Sequence, residues 1–144
     1  MNRILLLILS IIFTSCANNI VNEGIGEKDL MNIEEIKLHG NYLLKELTLK
    51  DVSSEKIVLK FDSIQKSVSG YAGCNSFGAD FEHSVEKIKF TKPVTTKMYC
   101  EDKMEKEQEI MKVLPEISEV TEVKEQIVFY SGNNQRLLTI QKED

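Results

Sequence analysis

The side chains with most chemistry to offer are two cysteines, Cys74 and Cys100, one glutamate in an apolar setting, Glu107, and two distant histidines, His39 and His83. The cysteines have two readings: a disulfide, or a pair of buried thiols that pack. A bridge would close a loop of about 26 residues, for which chain entropy gives about 3.5 kcal/mol. Residues 101–114 are rich in Glu, Lys, Met and Gln, which are good helix formers. At helical periodicity Met104, Ile110, Met111 and Leu114 form one apolar face, with Glu107 in its middle. A carboxylate there needs a hydrogen-bond or charge partner. Glu107 is therefore an acid, base or ligand, or a structural carboxylate that ties the helix to backbone amides of a neighbouring loop. The second is the preferred reading, because buried carboxylates often serve structure.

Other constellations are missing their parts. His39 and His83 have no partners at metal-ligand spacing, and Cys74 and Cys100 lack a neighbouring His, so no metal site and no cofactor are expected. Ser69 precedes Gly70, but the Ser-Gly-Tyr-Ala-Gly run lacks the strand-to-helix elbow of a nucleophilic serine. No glycine loop is built to cradle phosphate. No catalytic residue is assigned. Asn75, Thr96 and Tyr99 are polar groups in two segments, 73–78 and 95–100, expected to lie against each other with side chains pairing to backbone. The alternative is that these groups line a binding groove.

These residues need a compartment and a scaffold. The chain has 144 residues and a net charge of −5, and its unbroken apolar stretch, residues 4–13 with only Ser10 interrupting, lies at the N-terminus. A ten-residue helix reaches about 15 Å, roughly half a bilayer's hydrocarbon core, so the stretch is too short to span one. Arg3, the apolar run and Thr14-Ser15 before Cys16 make the three parts of an export signal. Small residues directly before a cysteine resemble a bacterial lipobox, in which cleavage precedes the cysteine and its thiol is lipidated. Phe13 departs from the Leu or Val usual in such signals. The expected organisation is a lipoprotein signal peptide over 1–15, a lipidated Cys16 with a flexible tether over 16–38, and a domain over 39–144. The expected address is the cell envelope, at the outer membrane facing the periplasm, with Ala17 compatible with that sorting. Such a compartment favours a Cys74–Cys100 bridge. The acidic balance argues against nucleic acid and anionic lipid headgroups as main partners. The membrane is contacted through the lipid on Cys16, an envelope protein is a possible partner, and a monomer is expected.

The scaffold reads as antiparallel β. Period-two patterns occur over 42–49, with a bulge at Lys45 and Glu46, and over 56–61, 67–72, 77–83, 85–90, 117–123, 126–130 and 135–141. Gly132-Asn133-Asn134 marks the last turn. On the 67–72 strand Val68, Gly70 and Ala72 share a face whose small residues leave room for something bulky opposite. Asp102 and Glu105 fit a capping box for the one helix, and Pro115 is expected to stop it at Leu114.

Gly73-Cys74-Asn75, then Thr96-x-Met98-x-Cys100, then Met104 and Glu107 resemble the motifs of the META domain, or HslJ-like, family. The resemblance covers about residues 40–142 and departs where many members have Trp-x-Leu and this chain has Tyr42-Leu43-Leu44. It implies a mainly β (α+β) fold: a small, cracked antiparallel β-barrel of about eight strands with one helix packed across an opening, broadly similar to pilot lipoproteins of type III secretion. It implies no catalysis and no cofactor, and an association with heat-shock response and novobiocin tolerance. The expected function is a non-catalytic envelope interaction or stability module; the alternatives are a barrel binding a small apolar ligand and, less favoured, an enzyme using Glu107 and Asn75.

Overall fold

The computed structural model describes residues 36–101 and 104–143. The signal peptide, Cys16, most of the tether and Asp102 of the capping box therefore lie outside the described residues.

The strands are β1 (Gly40–Leu47), β2 (Lys50–Asp51), β3 (Val58–Asp62), β4 (Ser67–Tyr71), β5 (Ser76–Ser84), β6 (Lys87–Phe90), β7 (Val94–Thr95), β8 (Ile117–Val123), β9 (Gln126–Ser131) and β10 (Arg136–Lys142). Among the described residues one α-helix, α1 (Met104–Val113), stands between β7 and β8. All pairings are antiparallel, in the order β10-β9-β8-β6-β5-β4-β3-β1, and β10 pairs with β1 to close an eight-stranded barrel. The two-residue strands flank it, β2 on β1 and β7 on β5. Closure removes the exposed edges an open sheet would offer. The crack is the seam between β6 and β8, where the ladder consists of a single pair, Lys87 with Glu119. One further bond, from the Val120 N–H to the Glu86 carbonyl, helps hold that seam.

Burial follows the alternation that makes these segments strands. In β6 Ile88 and Phe90 are buried and Lys87 and Lys89 exposed; in β3 Leu59 and Phe61 are buried. Inside the barrel Phe61 stacks on Phe129 with ring centres 6.3 Å apart, and Tyr42, Phe81 and Phe90 meet Phe61 edge-on. Tyr42 is buried and turns its hydroxyl to the Lys37 carbonyl at 3.3 Å. The room over Gly70 is filled from within: a Cβ there would lie 2.6 Å from Phe77 Cζ. The expected bulge falls between Leu44 and Glu46 of β1, and the Glu46 carboxylate accepts from the buried Thr139 hydroxyl at 2.9 Å.

Several boundaries move for identifiable reasons. Thr48 and Leu49 have positive φ, so β1 ends at Leu47 and turns into β2. Lys56, also at positive φ, closes a short 3₁₀ turn, Ser53–Glu55, and the third strand begins at Val58 rather than Lys56. Val85 sits in the left-handed turn before β6. The α-helix ends at Val113, one residue earlier than expected, and Pro115 sits early in a 3₁₀ turn, Leu114–Glu116, where its missing N–H costs nothing. Ile110, Val113 and Leu114 pack into the same apolar cluster as the barrel side chains.

Candidate functional site

The two motif segments meet at the start of β5. Gly73 has φ of +100°, a left-handed conformation that glycine adopts without the steric cost of a Cβ, and it turns the chain between β4 and β5. Cys74 and Cys100 form a disulfide with Cα atoms 5.8 Å apart, which fixes the far end of the 95–100 segment to this turn.

Asn75 does most of the remaining pairing. The residue is 2% exposed, and its Oδ1 accepts from the Met98 N–H at 2.7 Å and from the Thr96 hydroxyl at 2.8 Å. Its Nδ2 donates to the Met98 carbonyl at 3.1 Å and lies 3.3 Å from Cys74 Sγ. The amide thus pairs with both backbone groups of Met98, as a neighbouring strand would. The chain around it is paired as well: the Ser76 N–H donates to Thr96 Oγ1 and the Thr96 N–H to the Ser76 carbonyl.

Glu107 ties α1 to this assembly. Glu107 is 4% exposed; its Oε2 accepts from the Asn75 backbone N–H at 3.0 Å and Oε1 from the Thr95 hydroxyl at 3.0 Å. Thr95 Oγ1 also lies within 3.2 Å of the Ser76 and Thr96 carbonyls, so its one proton has three acceptors to choose among. A buried carboxylate with donors on both oxygens is a strong tie, because charge-assisted bonds exceed neutral ones. Its neighbours are donors that hold a carboxylate in place.

Of the motif residues, Gly73, Cys74, Asn75, Thr96, Met98, Cys100 and Glu107 come together here, while Met104 stands half-buried one helical turn before Glu107. The histidines do not join them: His39 Nδ1 faces Ser63 and His83 Nε2 faces the Val85 carbonyl. Ser69 lies within β4, paired with Lys60 and Gly78. Among the described residues no three His, Cys, Asp or Glu side chains are placed to hold a metal ion. Sequence reasoning passed over Thr95, although a second hydroxyl beside Thr96 was the available signal.

On its outer side the same segment opens into a groove of about 560 Å³ against α1. Pro93, Met98, Tyr99, Met104 and Met111 line it, and Lys92, Lys97 and Lys112 stand around it. Met98 is 60% exposed and Tyr99 85%, so a network buried behind the loop presents large apolar side chains in front.

A closed eight-stranded antiparallel barrel with one helix, tied through a buried glutamate to a Gly-Cys-Asn turn, defines a class of small barrel domains. The META domain profile matches residues 34–144, and the chain belongs to the META domain family. Solved structures share the fold: an NMR structure of a protein, 22% identical with a TM-score of 0.54, covers 72% of this chain and 89% of its own. An NMR structure of a protein from Burkholderia xenovorans, 18% identical with a TM-score of 0.54, covers 74% of this chain and 83% of its own. A crystal structure of a DUF4847 family protein from Bacteroides vulgatus, 9% identical with a TM-score of 0.53, covers 78% of this chain and the whole of its own. No curated protein matches the chain.

Proposed function

We propose that this protein is a non-catalytic interaction module of the cell envelope. It is held at the outer membrane by a lipid on Cys16, faces the periplasm and contributes to tolerance of envelope stress such as heat or novobiocin. One observation carries the reading: the motif residues are consumed in holding one another, and what they hold outward is the Met98–Tyr99 loop. A catalytic carboxylate needs access to a reacting group, whereas both Glu107 oxygens face donors of the scaffold. The disulfide and the export-signal pattern support an oxidising compartment outside the cytoplasm. A barrel binding a small apolar ligand has less support, since Phe77 occupies the space over Gly70 where the small residues of β4 left room.

Mass spectrometry of the protein from cells tests the address, with a diacylated or triacylated Cys16 as the N-terminal residue expected and an unmodified Cys16 against it. Deleting the gene tests the role: reduced survival under heat or novobiocin is expected, and unchanged survival counts against it.

A further inference from the structure

We propose that the groove between the 92–99 segment and α1 docks an apolar peptide segment flanked by carboxylates, carried by another envelope protein. This rests on the interaction-module reading and adds the chemistry of the partner.

The argument begins with charge. The protein carries −5 overall, yet the charged residues lining this groove are three lysines, Lys92, Lys97 and Lys112, and one carboxylate, Glu107. Glu107 is buried and already bonded on both oxygens, so it presents little to a visitor. None of the ion pairs formed among the described residues uses any of the three lysines. A locally positive rim on an acidic protein steers carboxylates toward it and repels basic segments.

The apolar lining sets the other half of the chemistry. Met98, Met104 and Met111 are unbranched and polarisable and adapt to irregular apolar side chains, and Tyr99 offers a rigid apolar face with a polar tip. Exposure then separates peptide from free lipid. Small-ligand sites bury most of their ligand's surface, but here the walls are themselves largely exposed, Met98 at 60% and Tyr99 at 85%. An acyl chain seated there would stay wet, while a segment backed by its own folded protein covers both walls. Recognition of an anionic bilayer also calls for clusters of about four to eight basic residues, more than this rim supplies.

The test measures fluorescence anisotropy of a labelled synthetic peptide, alternating Leu and Phe between glutamates, on the purified full-length protein. A second peptide has lysine in place of each glutamate, and phosphatidylglycerol vesicles are the third probe. Saturable binding of the acidic peptide is expected, weakened by salt and weakened about tenfold or more by Lys97→Glu with Lys112→Glu. Tyr99→Ala is expected to weaken it with an unchanged melting curve, which keeps loss of fold apart from loss of contact. The charge-reversed protein should prefer the basic peptide. No saturable binding, equal binding of both peptides, or vesicles bound in preference to the acidic peptide would each overturn the proposal. If the acidic peptide fails to bind while Tyr99→Ala still abolishes stress tolerance in cells, the partner's chemistry is wrong and the interaction-module reading stands.

Discussion

The backbone N–H of Asn75, one residue before β5, donates to Glu107 Oε2 on α1 at 3.0 Å, joining positions 32 residues apart. The bond explains a carboxylate on an apolar helix face: the orphan donor of a tight turn is satisfied by a side chain that the helix can deliver and the turn cannot supply.

Glu107→Ala should lower stability by about 1–3 kcal/mol, because it leaves the buried Asn75 N–H without an acceptor. Glu107→Gln should cost less than about 1 kcal/mol. Its amide oxygen still accepts from Asn75, its NH2 can donate to Thr95 Oγ1, and the Thr95 proton can turn to the Ser76 or Thr96 carbonyl. Urea denaturation of the two variants checks the ordering, and equal losses would contradict it.

Reducing the Cys74–Cys100 bridge, which spans 26 positions, should cost about 3.5 kcal/mol, seen as a melting temperature lower by on the order of 10 °C. The segment from Met98 to Cys100 should lose protection first, since its main remaining ties are the two Asn75 bonds to the backbone of Met98. Hydrogen exchange with and without reductant reads this directly.

Gly70→Ala should destabilise by about 1–3 kcal/mol through overpacking against Phe77, with the new Cβ meeting the ring at 2.6 Å. Phe77→Leu in the same chain should recover part of the loss. If Gly70→Ala alone leaves the melting temperature unchanged, the interior is looser than described.

The Asp62 carboxyl is held below the ordinary aspartate value of 3.8 by the backbone N–H groups of Gln65 and Ile64, which donate to it in the turn after β3. A depressed value in the folded state means a stabilising contribution that is complete above the ordinary value and lost as pH falls through the depressed one. Asp62→Ala should therefore melt lower than the parent at neutral pH, and the gap should close on acidification. A gap that does not narrow as the pH is lowered below the ordinary value of 3.8 would contradict this account.

Local periodicity made much of the barrel legible. Ile88 and Phe90 against Lys87 and Lys89 read as an in–out strand because the side-chain period of two survives in the fold. Helical spacing likewise placed Glu107 on a buried face. What stayed hidden depends on chain reversal and distance. Lys56 carries no local sign of its positive φ, and β2 and β7, two residues each, are too short to have a period. Val113 is buried although it fell outside the expected stripe, because the chain continues into a 3₁₀ turn that also packs inward. The groove was least visible: Lys92, Lys97 and Lys112 come from a loop and a helix end, and only tertiary packing gathers them.

The central claim is a division of labour, in which Asn75, Glu107 and the disulfide build the loop while Met98 and Tyr99 meet the partner. The most direct measurement sets melting temperature beside survival of a deletion strain under heat or novobiocin, complemented with Tyr99→Ala combined with Met98→Ser. Both side chains are exposed, so stability should stay within about 0.5 kcal/mol of the parent per substitution, while survival falls to that of the deletion. Parental survival with a fully folded double variant would contradict the account.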